Sequence, residues 1–335
     1  MITILENLPL APFTSLEIGG PARFFATTRS IDELREALLF ARGNRLPFAV
    51  LGGGSNLLIS DRGFDGLVVR VKLEAVERDG NLVRAEAGVD LTSLVHDLAH
   101  QGLSGMESLA GIPGLVGGAV RGNAGAYGSC IGELSEQVVA LDAESLELVT
   151  FNRDACAFRY RFSRFKEQPR LIVISTLLAL TPGMPEEIRA RVEATLARRA
   201  ARNLQCERSV GSFFMNPVVH DPALIDCFEA DQHVRSRDGR IPAGWLIDRA
   251  GLRSTAVGGA SVSPLHANYL INSGQATAED MVHLAQLVKG RVLASLGVEL
   301  QEEVSRLGFA EKGEAGISAG TDSPVAADVK AGARD

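Results

Sequence analysis

The chain has 335 residues, which at about 150 residues per domain predicts about two domains. Acidic side chains outnumber basic ones, 41 to 34, and the formal charge of −7 lacks the positive field that non-specific binding to nucleic acid or anionic membrane requires. Hydrophobic residues make up 46% and charged residues 22%, which excludes a disordered chain; glycine is in excess, at 35 residues against a usual share of ~7%.

Met1 to Leu10 has no basic segment ahead of an apolar stretch, so no secretory signal is predicted. Ile31 to Ala41 reads as a helix with Ile31, Leu34, Leu38 and Leu39 on one face. Phe48 to Leu51 is a short apolar strand running into Gly52-Gly53-Gly54-Ser55-Asn56-Leu57. Leu67 to Val71 and Leu82 to Ala87 read as strands, and Asp90 caps a helix from Leu91 to Gln101 that Gly102 ends. A second glycine-rich stretch, Gly111 to Gly128, reads as loop. Val138 to Leu141, Leu146 to Phe151 and Leu171 to Leu180 are strand-like; the last is the longest apolar run and about half a membrane span. Glu186 to Arg202 reads as a helix.

The character changes after about Gln205. Gly211 to Pro217 is a compact loop, Pro222 to Ala230 and Ala243 to Ala250 read as helices, and Thr277 to Leu296 is the clearest helix, opened by Thr277 and Asp280 and stopped by Gly297. Residues 311–335 have no periodicity and are expected to be disordered. The predicted class is α+β, with units at 1–204 (two subdomains meeting near residue 71) and 205–310. Cys130, Cys156, Cys206 and Cys227 lack the paired spacing of a zinc site and read as free thiols of a cytoplasmic protein, so no metal is expected.

A strand followed by three glycines, Ser55 and Asn56 forms a run of backbone N–H groups without Cβ atoms, which phosphate oxygens can approach. The second glycine stretch can do the same from the other side. On spacing alone, both loops fit plain tight turns equally well. Neither carries the Lys-Ser/Thr pair of a P-loop, and neither reads GxGxxG, since Leu57 stands where the third glycine belongs.

Five motifs then follow in order: Leu51 to Leu58, Gly111-Ile112-Pro113-Gly114 to Gly128, Tyr160-Arg161-Phe162-Ser163, Gly211-Ser212-Phe213-Phe214-Met215-Asn216-Pro217, and Ala243 to Asp248. Together they resemble the UDP-N-acetylenolpyruvoylglucosamine reductase (MurB) family of bacterial peptidoglycan synthesis, from about Thr14 to Gly308. The resemblance implies an FAD-binding domain of the vanillyl-alcohol-oxidase (PCMH) type and a smaller C-terminal α+β substrate domain. It implies hydride transfer from NADPH to FAD and on to the enolpyruvyl sugar nucleotide, giving UDP-N-acetylmuramate. The acidic charge predicts no nucleic-acid partner and the short apolar runs no membrane insertion, and the enzyme is expected to be a cytoplasmic monomer.

By motif, the catalytic residues implied are Arg161, Ser212 and Glu303. Arg161 follows Tyr160 in Phe158 to Ser163, and a guanidinium can bind the substrate carboxylate and stabilise a developing enolate. Ser212 is the implied proton donor. Register with Val304 and Gly308 selects Glu303, with Glu302 as the one-residue alternative. The implied flavin contacts are Gly52, Gly53, Gly54, Ser55, Asn56, Leu57, Gly111, Ile112, Pro113, Gly117, Gly118, Asn123 and Gly125. Tyr127, Asn216 and Asn268 are the implied substrate contacts, and Arg198, Arg199 and Arg202 either face the diphosphate or form the wet side of a helix. Met215 stands where family members often have lysine. No tyrosine lies between Tyr160 and Tyr269, so the chain resembles the subgroup lacking a tyrosine-bearing loop.

Overall fold

The computed structural model describes residues 2–201, 207–236 and 238–309. The expected boundary at Leu204, Arg202, Cys206 and the tail 311–335 lie outside the described residues.

Two strands, β1 (Ile4–Pro9) and β2 (Pro21–Thr28), precede the first helix, where the sequence pattern predicts none. β1 is an edge strand with mostly exposed side chains, so it has no apolar alternation to read. Helix α1 (Ile31–Gly43) begins at Ser30, whose hydroxyl accepts from Glu33 N–H, and buries Leu34, Ala37, Leu38 and Ala41. Strands β3 (Phe48–Leu51), β4 (Leu57–Ile59) and β5 (Phe64–Val71) follow. The first sheet has the order β1-β2-β5-β3, antiparallel at its first pair and parallel thereafter. Its parallel strands β3 and β5 end side by side, Leu51 opposite Arg70, where the first glycine loop begins.

Strands β6 (Val76–Asp79) and β7 (Leu82–Glu86) join three later strands, Ser135–Asp142, Leu148–Asn152 and Leu171–Ala179, in an antiparallel five-stranded sheet. Helix α2 (Leu91–His100) is capped by the Asp90 carboxylate, which accepts from Ser93 N–H at 2.8 Å, and is followed by Gly102 at φ +73°. The second glycine stretch is not all loop. Val116–Gly122 forms helix α3, because burying Val116, Ala119 and Val120 outweighs the poor helix propensity of its glycines. The main core runs through both halves of this region, joining Leu34 and Val69 to Leu94 and Val138.

The C-terminal part packs the helix Ala278–Leu296 on a three-stranded antiparallel sheet, Ala256–Val257, Ala260–Val262 and Leu270–Asn272. Its core also takes in Leu16, Ile18 and Leu58 from the N-terminal part. Ser305–Leu307 pairs in parallel with β4, Ser305 opposite Leu57. That pairing brings the end of the chain back to the first glycine loop. Among the described residues, no helix is long and apolar enough to cross a membrane, and no cluster of three or more His, Cys, Asp or Glu could hold a metal ion.

Candidate active site

Three segments remote in sequence meet at one place. The first is a two-residue turn. Arg159 N–H donates to Phe162 O at 3.0 Å and Phe162 N–H to Arg159 O at 3.1 Å, leaving Tyr160 and Arg161 at the tip. Arg161 has φ +54°, a left-handed conformation that costs a branched-chain-free L residue about 1 kcal/mol and persists only where its surroundings hold it. Asn123, itself left-handed at φ +46° at the end of α3, donates its Nδ2 to Arg159 O at 2.8 Å. Lys166 Nζ donates to Arg161 O at 3.3 Å.

The second segment is the loop 211–217. Phe213 and Phe214 are fully buried and fix it to the C-terminal core. Asn268 is only 2% exposed, accepts from Phe214 N–H through Oδ1 at 3.0 Å and donates through Nδ2 to Phe214 O at 2.8 Å. Half-buried Ser212 is thereby held at the mouth of the loop. The third segment, 301–303, crosses this loop. Met215 N–H donates to Gln301 O, and Glu303 N–H donates to Phe213 O, each at 2.9 Å.

The extended backbone settles which carboxylate faces the turn, because neighbouring side chains point to opposite sides. Glu303 Oε1 lies 2.6 Å from Arg161 Nε, with the two side chains only 17% and 24% exposed. Glu302 points away, bound by Arg306 through two nitrogens and lying 3.7 Å from Lys289. The Arg161–Glu303 contact is a charge pair rather than an aligned hydrogen bond, since the buried Nε makes no bond of proper geometry. Burial pushes the Glu303 carboxyl above the usual range and outweighs the opposing pull of Arg161 and Lys166.

Glycines line the side of the site next to β3 and α3. Most are required by the protein's own packing. A Cβ on Gly53 would sit 2.9 Å from Gly114 Cα, on Gly54 1.9 Å from Phe13 O, on Gly117 2.7 Å from Ala87 Cβ, and on Gly125 2.4 Å from Ser129 O. Gly111 is left-handed at φ +73° and abuts Leu196 and Arg199. Gly52 and Gly118 differ, with no atom within 4 Å of where a Cβ would stand. They leave bare backbone facing open space, the cradle an FAD pyrophosphate needs, so the residues present fit that group. Ser55 Oγ donates to Pro113 O at 2.9 Å and ties the two loops together. Asn56 Nδ2 donates to Glu303 O at 3.2 Å, and Asn56 O accepts from Ser305 N–H at the same distance. Leu57 pairs with Ser305, and Ile112 N–H is taken by Leu109 O. A cavity of about 260 Å³, lined by Arg70, Lys72, Glu74 and Asp90 among others, opens beside Leu115 of the second loop.

The expected substrate contacts divide. Tyr127 is 44% exposed, left-handed at φ +54°, and stacked under Arg198 and Arg199 at 4.8 and 5.6 Å from ring centroid to guanidinium. Asn216 accepts from Ala243 N–H through Oδ1 at 3.0 Å and so caps the helix Ala243–Arg249. Asn268 spends both amide atoms on the Phe214 peptide, and Asn123 spends its own on Arg159 O and Gly132 N–H. Sequence reading passed over Tyr160 and Arg240 as site residues. Tyr160 Oη accepts from Asn216 N–H at 3.3 Å, and Arg240 lies over the Tyr160 ring at 4.1 Å. The signal available was the invitation of an exposed tyrosine beside a candidate catalytic arginine; nothing local marked Arg240.

Residues 22–145 match the family model described as "FAD binding domain", and residues 202–307 match "UDP-N-acetylenolpyruvoylglucosamine reductase, C-terminal domain". Fold and site together define an FAD-dependent oxidoreductase: an FAD-binding domain joined to a smaller C-terminal α+β unit, as expected from the sequence. The chain is 39% identical over 310 residues to a protein of Synechococcus sp. (strain WH7803) named UDP-N-acetylenolpyruvoylglucosamine reductase, covering 91% of this chain and 93% of that one. A protein of the same name from Carboxydothermus hydrogenoformans is 39% identical over 307 residues, covering 91% and 94%. The solved structure of UDP-N-acetylenolpyruvylglucosamine reductase (MurB) from Thermus caldophilus superposes with a TM-score of 0.72 at 31% identity, over 92% of this chain and 99% of that chain. The chain belongs to the UDP-N-acetylenolpyruvoylglucosamine reductase (MurB) family.

Proposed function

We propose that this chain reduces UDP-N-acetylenolpyruvoylglucosamine to UDP-N-acetylmuramate with NADPH, and that Arg161, Ser212 and Glu303 act on the enolpyruvyl group. The observation that carries this reading is the convergence of Arg161 and Glu303 at 2.6 Å beside the Ser212 loop, with Asn56 of the first glycine loop donating to Glu303 O. When bound, FAD supplies the hydride relay between NADPH and the enolpyruvyl C3.

Arg161 offers its two terminal nitrogens to the substrate carboxylate while its Nε faces Glu303. A fixed guanidinium stabilises the negative charge that reaches the carboxylate and C2 as hydride arrives at C3. Ser212 gives its hydroxyl proton to C2, which is strongly basic at that stage. Glu303 polarises the substrate beside Arg161 and orients the water that returns a proton to Ser212. Tyr127, stacked under Arg198 and Arg199, faces the sugar nucleotide, and Asn216 offers it the Nδ2 amide. Asn268 and Asn123 also position the Ser212 loop and the Arg161 turn through backbone bonds. Among the described residues Cys130, Cys156 and Cys227 are free thiols, which suits the cytoplasm as its site of action in peptidoglycan precursor synthesis.

The test is anaerobic. Purified protein carrying FAD should lose its visible flavin absorbance with NADPH and regain it on adding UDP-N-acetylenolpyruvoylglucosamine. Protein that binds no FAD after reconstitution, or reduced protein that the sugar nucleotide leaves bleached, would contradict the reading.

A further inference from the structure

Arg161 is held in an unfavourable backbone conformation, and the turn that holds it has only two backbone hydrogen bonds of its own. Outside contacts must therefore fix it. One is the Asn123 amide on the Arg159 carbonyl. Another is Lys166, whose Nζ reaches the Arg161 carbonyl itself at 3.3 Å. Lys166 belongs to the short helix Arg164–Glu167. That helix is pinned at both ends of its first turn. Phe165 is buried and packs edge-on against Phe151 at 5.4 Å, and the preceding Ser163 hydroxyl donates to Arg121 O at 2.6 Å. The lysine is thus delivered to the turn by a fixed element rather than by a loose surface chain.

The charges around Glu303 make the same lysine matter twice. From the turn, Arg161 faces the carboxylate. From the helix Arg164–Glu167, Lys166 brings its charge to the Arg161 carbonyl and adds a weaker electrostatic pull on the carboxylate. The loop 211–217 has no titratable side chain, and the first glycine loop contributes only the Asn56 amide, to the Glu303 backbone. On the neighbouring residue, Glu302 points the other way to Arg306 and Lys289. One cation therefore contacts the buried carboxylate directly, and a second stands one residue's backbone away, on the Arg161 carbonyl.

We propose that Lys166 is a positioning residue of this site: its ammonium clamps the Arg161 carbonyl, holding the left-handed turn that aims the guanidinium, and adds a second positive charge beside Arg161, the partner of Glu303. The proposal rests on the functional reading given above. Burial raises the Glu303 carboxyl, and Arg161 and Lys166 both pull it down. Removing one of them moves the carboxyl further up. The pH limb that Glu303 governs then shifts upward whether the site needs it charged or protonated.

The experiment uses the FAD holoenzyme and follows flavin reduction by NADPH and reoxidation by UDP-N-acetylenolpyruvoylglucosamine separately, across pH, in Lys166→Met, Lys166→Gln and Lys166→Arg. Lys166→Met should slow reoxidation at least about tenfold, more than it slows flavin reduction, and raise the Glu303-governed limb by about one pH unit. Lys166→Gln keeps a donor for the Arg161 carbonyl without the charge. It should recover much of the rate while leaving the limb raised. Lys166→Arg should return both toward wild type. A limb that stays at the wild-type pH in Lys166→Met and Lys166→Gln overturns the proposal, as does equal slowing of both half-reactions. Wild-type holoenzyme that is not reoxidised by the sugar nucleotide at all overturns the functional reading instead, and the two failures are distinguishable in one series.

Discussion

Glu303 keeps its proton to a higher pH than an exposed glutamate because burial disfavours the carboxylate more than Arg161 and Lys166 favour it. A carboxyl raised in the folded state stabilises the fold below its unfolded value of 4.5, and that contribution is lost as the pH rises through the folded value. Glu303→Gln should therefore flatten the fall in stability over that window in chemical denaturation at several pH values; an unchanged slope would contradict the assignment. Arg161→Met should slow sugar-nucleotide reduction by about 10² to 10³, the usual cost of losing a preorganised charge at a developing anion. At this scale the motif order names Arg161 and Ser212 as candidates, the structure brings Arg161 and Glu303 together, and strand alternation turns Glu302 away once the segment is seen to be extended. What Asn123, Asn216 and Asn268 do was not legible, because their partners are backbone groups brought in from distant segments.

Elements explain why the glycines are where they are. Two classes exist, and they look alike in a sequence. Gly53 and Gly125 meet backbone at under 3 Å, so a methyl there forces two chain segments apart. Gly53→Ala should cost about 1–3 kcal/mol of stability with or without flavin. Gly118 has open space and lies in the first turn of α3. Gly118→Ala should stabilise the flavin-free protein by about 0.5–1 kcal/mol and weaken FAD retention, read by equilibrium unfolding and by flavin titration. Loss of stability in Gly118→Ala with FAD affinity intact would remove this glycine from the cofactor site. The excess of glycine thus pointed to both loops, while spacing alone could not separate a cradle from a packing requirement.

At the scale of the molecule, the N-terminal and C-terminal parts are joined by groups each would otherwise leave unpaired. The helix Ala278–Leu296 illustrates this. Its Thr277–Asp280 capping box satisfies two N–H groups, and Asp61 from the other part accepts from Ala278 and Glu279 N–H at 2.9 and 3.3 Å. Asn272 Nδ2 donates to Leu16 O at 2.9 Å in the buried junction. Asp61→Ala should cost about 1 kcal/mol by thermal unfolding, and a variant as stable as wild type would show the cap to be idle. The capping box was readable in the chain, but its partner Asp61, 217 residues away, was not. The same docking seats Ser305–Leu307 on β4 and so places Glu303 against the Arg161 turn. A site assembled this way should handle hydride and proton in separate steps, with the proton needed only when the sugar nucleotide is reduced. Anaerobic stopped-flow of wild type and Ser212→Ala tests that division directly: flavin reduction by NADPH should be preserved while reoxidation by UDP-N-acetylenolpyruvoylglucosamine slows by about 10² to 10⁴. Equal slowing of both half-reactions, or unimpaired reoxidation, would contradict it.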